Sequence, residues 1–317
     1  MLKILELFGG IGSPRAALRN IGIPVKAIDY VEIDEKCVRS YNAMFAGELA
    51  YKTQDVRGWD LRPDILIHGS PCQDFSIAGH QGPAKGEERI NHGRGADEGS
   101  GTRSSLMWET LKIIENMGLW KPRVVIWENV KNVLSKHMIV NYRKYLGRMK
   151  EMGYVTTYSV LNAMDFGLPQ KRERVFTVSM LGGAVFSFGQ MRGRKMSPLA
   201  EYLEAEVDDS YTVKAPSMLA CIGKKGAIRR APIIKDFCYT ITERQDRAPN
   251  SGVLPISGGR YRYLTERECW RLQGYGDEDF DAAAKVNSRR TLYRQAGNSI
   301  PVPIFESMFS CMLGGVR

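Results

Sequence analysis

Short apolar runs rich in β-branched residues alternate with longer segments of mixed character along the first 180 residues of the chain. The runs predict strands at residues 2–8, 25–31, 65–67, 123–127, 155–161 and 175–180. Helices are predicted over 35–45 and 104–117, and another begins with Ser13 as its N-cap and Pro14 in the first helical position. This alternation is typical of an α/β fold.

The pattern changes after Leu181, where Gly, Ser, Pro and scattered basic residues replace the regular alternation. We therefore place a smaller domain at 181–289 and assign 1–180 with 290–317 to a large domain. Within the smaller domain, Thr265 and Glu268 have the spacing of a capping box and predict a helix over 266–272. A terminal amphipathic helix is predicted after Pro301.

The composition is that of a globular protein with excess positive charge. The 317 residues are 43% hydrophobic, and 45 Lys and Arg against 35 Asp and Glu give a net charge of +10, which favours a polyanionic partner such as nucleic acid. Six widely spaced cysteines without a CxxC pair argue against a zinc site and a disulfide framework. Neither a signal peptide nor a membrane-spanning run is apparent, so we expect a cytoplasmic protein.

Basic residues interleaved with tyrosines run through the smaller domain and are typical of a surface that tracks a phosphate backbone. These basic residues are Lys224, Lys225, Arg229, Arg230, Lys235, Arg244, Arg247, Arg260 and Arg262.

A thiol and a carboxylate follow two of the predicted strands. The strand at 65–67 stops at Gly69-Ser70-Pro71, directly before Cys72, and Glu128 follows the strand at 123–127. Parallel strands deliver such residues to one edge of the sheet, where open α/β folds bind ligands. A lone cysteine is more often inert, but beside a carboxylate it suits a nucleophile paired with a general acid.

The first strand is followed by Gly9-Gly10-Ile11-Gly12, and the second ends at Glu32, twenty residues after Gly12. Strand, glycine turn, helix, strand and acid are the arrangement of an adenosine site, in which the carboxylate accepts hydrogen bonds from ribose hydroxyls. The third glycine of a dinucleotide site is absent, which favours a smaller adenosine compound. A tight turn followed by a solvated Glu is the alternative. Asp55 either accepts from an adenine amino group or begins a turn.

Two further segments allow more than one interpretation. Residues 78–102 are dense in glycine and charge, and they form either a flap over a substrate or a disordered insertion. Residues 170–174 place Lys171, Arg172 and Arg174 close together, either as a solvated turn or as a grip on phosphates or a base.

In combination, these motifs resemble the DNA (cytosine-5) methyltransferase family, in its compact bacterial or phage type. The resemblance covers almost the whole chain except residues 181–236. Its motifs are Phe8-Gly9-Gly10-Ile11-Gly12, Ser70-Pro71-Cys72-Gln73, Glu128-Asn129-Val130, Gln170-x-Arg172-x-Arg174, Arg271-Leu272-Gln273-Gly274 and Gln295-x-Gly297-Asn298-Ser299. Any one of them is a common pattern, whereas the ordered set is specific.

The resemblance implies a Rossmann-like domain, whose mixed and mostly parallel sheet has helices on both faces, and a smaller target-recognition domain that includes the helix at 266–272. It implies S-adenosylmethionine as cofactor, double-stranded DNA as substrate, a monomer and no metal ion. The catalytic residues that it implies are Cys72, Glu128, Arg172 and Arg174. The implied cofactor-binding residues are Phe8, Gly10, Gly12, Glu32, Ile33, Asp55, Val56, Asn298 and Ser299. The implied substrate-binding residues are Ser70, Pro71, Gln73, Arg103, Asn129, Gln170 and Gln273.

The implied reaction begins with a cytosine flipped out of the duplex. Cys72 adds to C6 while Glu128 bonds the N3 edge, which makes C5 nucleophilic towards the methyl group of S-adenosylmethionine. Arg172 and Arg174 are expected to hold the pyrimidine O2. Loss of the C5 proton, to a base that the sequence does not identify, then releases Cys72.

The chain departs from the family pattern at Glu6, where Asp is usual, at Ser13, where Gly is usual, and in the length of the segment after Cys72. Three alternative functions remain open from the sequence. They are a cytosine-5 methyltransferase acting on tRNA, a catalytically silent DNA-binding homologue, and an NAD-dependent oxidoreductase, which would explain the glycine turn but not Cys72.

Overall fold

The computed structural model describes residues 2–45, 47, 50–57, 62–70, 105–136, 138–224 and 231–314. The predicted site residues Pro71, Cys72, Gln73 and Arg103, and the glycine-rich segment 78–102, lie outside these residues. Within the described part of the chain, every helix is too short or too polar to cross a membrane.

A six-stranded sheet forms the centre of the molecule. Its order is β2-β1-β3-β4-β7-β5, in which β1 to β4 run parallel and β7 and β5 run antiparallel to their neighbours. The strands are β1 Leu2–Leu7, β2 Val25–Val31, β3 Ile65–His68, β4 Val124–Val130, β5 Tyr154–Asn162 and β7 Glu173–Leu181. The short strands are β6 Gln170–Lys171, β8 Cys238–Tyr239, β9 Leu254–Ile256 and β10 Arg260–Arg262. The expected mixed, mostly parallel sheet is therefore confirmed.

Helices cover both faces of this sheet, as its strand pattern requires. Alternate residues of β4 belong to different hydrophobic clusters, with Ile126 on one face and Val125 and Trp127 on the other. Strands buried on both faces read as continuous apolar runs. The helices are α1 Ser13–Asn20, α2 Glu35–Phe45, α3 Leu106–Asn116, α4 Ile139–Glu151, α5 Pro216–Leu219, α6 Glu266–Arg271, α7 Asp277–Ala284, α8 Arg289–Asn298 and α9 Val302–Leu313.

The predicted strands and the capping box of α6 are confirmed, but several details of the prediction are wrong. Gly12, not Ser13, is the N-cap of α1, and Ser13 is the first helical residue. The strand β4 continues through Glu128 to Val130 because it pairs with β7 along its whole length. Helices α4, α5, α7 and α8 were not predicted. The first eight residues of α9 are all buried, so this end of the helix is not amphipathic.

The region 181–289 divides into two parts according to what each part packs against. Val213, Met218, Ala231 and Val253 form a small cluster of their own. In contrast, α6 packs against α8, and α7 packs against α2 of the large domain. The paired carboxylate and guanidinium of Asp279 and Arg19, 2.7 and 2.8 Å apart, fix α7 to α1.

Candidate active site

The glycine turn after β1 has three residues in the left-handed backbone conformation. Phe8, Gly10 and Gly12 have φ values of 55°, 55° and 80°, in the left-handed region that glycine tolerates best. A Cβ on Gly12 would also lie 2.6 Å from the ring of Tyr41. The hydroxyl of Tyr30 in β2 donates to the carbonyl of Gly10 at 2.6 Å, and this hydrogen bond holds the turn against β2. The turn therefore offers backbone groups rather than side chains to a ligand.

Glu32 lies beside this turn, at the carboxyl end of β2. Its two carboxylate oxygens accept from the backbone N–H groups of Gly10 at 3.0 Å and Asp34 at 2.9 Å. Burial raises the pKa of Glu32, while the N–H groups of Gly10 and Ile33 and the charge of Arg294 oppose the shift. The next residue, Ile33, has 69% of its surface exposed, so an apolar side chain stands open beside the acid.

Residues 54–56 run alongside the end of β2, because the N–H of Gln54 donates to the carbonyl of Glu32 at 2.9 Å. Val56 is buried, whereas Asp55 is exposed and pairs with Arg57. This ion pair lowers the pKa of Asp55 to about 2, so the carboxylate is charged at neutral pH. The N–H of Arg57 also donates to Asp55 Oδ1 at 3.0 Å, so Asp55 begins a turn, and its contact with an adenine amino group stays a prediction.

Glu128 and Arg174 form an ion pair at the carboxyl end of β4. Arg174 Nε lies 3.2 Å from Glu128 Oε1, and both side chains are largely buried. The contact follows from the register, since Glu128 pairs with Phe176 and its diagonal neighbour on the same face is Arg174. Burial raises the pKa of Glu128, while Arg174 and then Arg172 oppose the shift.

The chain that leads towards Cys72 is anchored at Ser70. The indole N–H of Trp127 donates to Ser70 Oγ at 3.0 Å, and the amide of Asn129 donates to the Ser70 carbonyl at 3.4 Å. Both donors come from β4, the strand that carries Glu128. The loop after β3 is therefore held against the strand of the candidate acid, two residues before the candidate nucleophile.

A second wall of the site comes from the loop between α8 and α9. Asn298 is exposed, while Ser299 is buried. The side chain of Ile300 approaches Gly69: a Cβ on Gly69 would lie 3.8 Å from both Ile300 Cδ1 and Glu128 Oε2. Gly69 thus lies beside both an apolar side chain and the candidate acid, and a Cβ there would be in van der Waals contact with both.

These residues fit an adenosine-containing cofactor. None of the described residues lies within 4 Å of the position that a Cβ on Gly10 would take, so this part of the structure lets a ligand approach the turn. A carboxylate for the ribose, an exposed apolar side chain for the base and a second carboxylate for the amino group lie at the same edge of the sheet.

The comparison with known proteins identifies the family. The family model for C-5 cytosine-specific DNA methylases matches residues 2–202 and 202–313. The chain belongs to this family. It is 32% identical to the type II methyltransferase M2.ScrFI of Lactococcus lactis subsp. cremoris over 98% of each chain. It is 31% identical to M.NgoBI of Neisseria gonorrhoeae, covering 97% of this chain and 92% of that protein.

The methylase is accordingly a DNA (cytosine-5) methyltransferase that uses S-adenosylmethionine. A solved structure agrees in fold: the S. pombe Dnmt2 methyltransferase aligns over the whole of both chains with a TM-score of 0.77 at 22% identity. The family, the fold class, the enzyme class and the cofactor expected from the sequence are thereby confirmed.

Arg172 of the methylase is buried, and its side chain bonds to three backbone carbonyls. Its guanidinium donates to Ile241 at 2.9 Å, Gly297 at 2.9 Å and Ser299 at 2.6 Å. These contacts join the residue between β6 and β7 to the segment at 241, to the end of α8 and to the α8–α9 loop. The geometry gives Arg172 a bracing role, whereas Arg174 is the arginine beside Glu128.

The predicted substrate-binding amides are also directed at the backbone. The side chain of Gln170 donates to Leu272 and accepts from Ile241, and that of Gln273 donates to Ala296. Both glutamines are fully buried. Asn129 is likewise buried. The structure supports a bracing role for these three residues, and their direct contact with substrate remains a prediction.

Sequence reasoning missed Tyr30, Trp127 and Tyr275, each of which supports the site through a hydrogen bond. Trp127 immediately precedes the Glu128 motif, and Tyr275 immediately follows the Arg271-Leu272-Gln273-Gly274 motif. For Trp127 and Tyr275, the signal in the sequence was therefore their position next to a motif. The strand pattern alone assigns Trp127 only to the hydrophobic core.

Proposed function

We propose that Glu128, oriented by Arg174, activates an extruded cytosine for attack by Cys72. The observation that carries this proposal is the buried Glu128–Arg174 ion pair at the carboxyl edge of the sheet, on the strand that anchors the loop towards Cys72. Because burial raises its pKa, the Glu128 carboxyl can share a proton with N3 of the base. Withdrawal of electrons through N3 makes C6 electrophilic.

The Cys72 thiolate then forms a bond to C6, and the electron pair of the 5,6 double bond makes C5 nucleophilic. S-adenosylmethionine supplies the methyl group at C5. A water molecule takes the C5 proton, the 5,6 double bond re-forms, and Cys72 leaves as a thiolate. In this scheme Arg174 faces the O2 side of the ring and stabilises the charge that develops there.

We propose that the cofactor lies across the carboxyl ends of β1 and β2. Glu32 would accept from the ribose hydroxyls through the remaining lone pairs of its carboxylate. Ile33 would cover one face of the adenine, and Asp55 would accept from its amino group. The backbone of Phe8, Gly10 and Gly12, with Asn298 from the end of α8, would surround the methionine part.

DNA recognition belongs, in this proposal, to the part of 181–289 that precedes α6. The packing of α6 and α7 on the large domain supports this narrower boundary. Within the described residues, Arg262 of the basic set forms a buried ion pair with Glu268 at 2.7 Å, and Arg247 and Arg260 are exposed but lie beside acidic side chains. The other exposed members are Lys224, Lys235 and Arg244. Arg262 therefore supports the fold rather than a phosphate.

The biological setting is inferred from the relatives. M2.ScrFI and M.NgoBI are named type II methyltransferases of bacteria, so we propose that this protein acts in the cytoplasm of a bacterial or phage-infected cell. There it would methylate one short DNA sequence, in restriction-modification or in phage protection. We propose separately that it acts as a monomer.

The deciding experiment is transfer of labelled methyl groups from S-adenosylmethionine to unmethylated duplex DNA, with tRNA as a parallel substrate and sequencing of the modified cytosines. Label at one repeated short sequence in DNA, absent with Cys72→Ser, is the expected result. Label in tRNA alone would contradict the proposed substrate. Label at the normal rate with Cys72→Ser would contradict the mechanism.

A further inference from the structure

Three buried hydroxyl groups from distant parts of the chain meet beside the glycine turn. Ser13 Oγ lies 2.7 Å from the Tyr275 hydroxyl and 3.0 Å from Ser299 Oγ, and the Tyr275 hydroxyl lies 3.0 Å from Ser299 Oγ. All three residues are buried. We call these three groups the hydroxyl triangle.

The hydroxyl triangle is chemically complete. Each hydroxyl carries one proton and can accept through its lone pairs, so each can donate once and accept once around the ring. Burial raises the pKa of Tyr275, so its hydroxyl keeps the proton that the ring needs. Loss of one member opens the ring but leaves the other two in contact.

Each corner of the triangle belongs to a different part of the site. Ser13 is the first residue of α1, directly after Gly12 of the glycine turn. Ser299 follows Asn298, and its carbonyl accepts from the brace residue Arg172. Tyr275 follows α6, where a Cβ on Gly274 would lie 2.5 Å from Pro303 at the start of α9, so this turn is closely packed.

From this arrangement we propose that Tyr275 is a positioning residue for cofactor binding. Its hydroxyl, through Ser13 and Ser299, keeps the glycine turn in register with Asn298 at the end of α8 and with Ile300 in the loop that follows. A cofactor held between turn and loop then meets both walls at their binding distance without reorganisation. The inference rests on the proposed cofactor position.

The variant that tests this role is Tyr275→Phe, which removes one oxygen. The ring keeps its contact with Trp270, 5.1 Å between centroids, and Ser13 and Ser299 can still bond to each other. The matched control is Tyr154→Phe, because its buried hydroxyl donates to the Pro122 carbonyl at 2.8 Å, at the opposite end of the sheet. Tyr275→Phe loses two hydroxyl–hydroxyl contacts and Tyr154→Phe loses one hydrogen bond, so each variant removes only buried hydrogen bonding and one oxygen atom.

The measurements are the Kd for S-adenosylmethionine by calorimetry, the KM and kcat of methyl transfer to DNA, and the melting temperature. For Tyr275→Phe we expect Kd and KM to rise about 3- to 10-fold, the equivalent of one hydrogen bond, with kcat nearly unchanged. Ser13→Ala should act in the same direction, and the double variant should bind more weakly than either single variant but by less than the sum of the two losses, because both single changes remove the Ser13–Tyr275 contact. Tyr154→Phe should lower only the melting temperature.

Two results would overturn the inference. One is an unchanged Kd in Tyr275→Phe with a melting temperature lowered as in Tyr154→Phe, and the other is additive loss in the double variant. Failure of the wild-type protein to bind S-adenosylmethionine would instead remove the cofactor position proposed above. The two failures are therefore distinguishable.

Discussion

At the scale of single residues, the chemistry depends on a carboxylic acid that the fold partly withdraws from water. Glu128→Gln keeps the size of the side chain and an oxygen that can face Arg174, but it can no longer pass a proton. We expect the single-turnover rate of methyl transfer to fall by roughly 10²- to 10⁴-fold, as for other acid–base residues. Glu151→Gln, a change at an exposed carboxylate on α4, is the control and should leave the rate unchanged. A rate within about twofold of wild type in Glu128→Gln would show that another group activates the base.

A second buried carboxylate, Glu6, makes the stability of the protein depend on pH. Its carboxylate oxygens make no hydrogen bond within the described residues, and burial raises its pKa from 4.5 to about 8, against the opposing charge of Arg15. The native state therefore keeps a proton that the unfolded state loses between pH 4.5 and 8, so this group favours folding less as the pH rises.

Glu6→Gln removes this titration. Its advantage in unfolding free energy over wild type should grow with pH across that window, by at most about 1.4 kcal/mol for each pH unit. Urea unfolding at several pH values between 5 and 8 measures the difference, with the exposed Glu35→Gln as control. Parallel pH profiles for Glu6→Gln and wild type would contradict the argument.

At the scale of elements, two arginines of one motif have separate tasks. Arg172→Met leaves three carbonyls without their donor, and we expect it to destabilise the protein by about 3–9 kcal/mol, since each buried group left unsatisfied costs about 1–3 kcal/mol. Arg174→Met should lose activity while remaining more stable than Arg172→Met. Urea unfolding and methyl transfer on both variants separate the two roles. Equal stability of the two proteins would contradict the division.

The elements themselves show where a sequence is informative. The β-branched runs predicted every long strand, and Thr265 with Glu268 predicted the start of α6, because these signals are local. The predicted N-cap of α1 was wrong. The hydroxyl of Ser13 forms hydrogen bonds with Tyr275 and Ser299, 262 and 286 residues away in the chain, instead of capping its own helix. Helix α8 was missed because the polar residues of its last turn form a recognised motif and suggest a loop.

In the site, too, features that depend on local sequence were predicted, and contacts between distant parts of the chain were not. Glu32, Glu128 and the glycine turn were predicted because a strand's end fixes where the next residue lies. The roles of Arg172 and Gln170 were not predicted, because a motif names a residue without naming its partner. Arg172 and Gln170 both bond to Ile241, across about 70 residues of chain that no local pattern connects. Only the packed molecule identifies these partners.

At the scale of the whole molecule, the net charge of +10 should act mainly through the exposed cations of the smaller domain. Lys224, Lys235 and Arg244 are exposed, and replacing all three with Gln removes charge without removing a buried contact. If they meet phosphates, binding should weaken alike for all DNA sequences, and the slope of log K against log salt should fall by about 0.9 for each lost contact. Titration of labelled duplexes at several salt concentrations measures this slope.

The matched control removes the same charge from another surface. Arg143, Lys144 and Lys150 are exposed on α4, which packs on the face of the sheet that also carries α3. Their triple replacement with Gln changes the net charge equally but should leave the slope nearly as in wild type, since exposed charges beyond about 10 Å are screened at 0.1 M salt. Equal slopes in the two triple variants would mean that the net charge of the molecule, rather than contacts in the smaller domain, attracts the DNA.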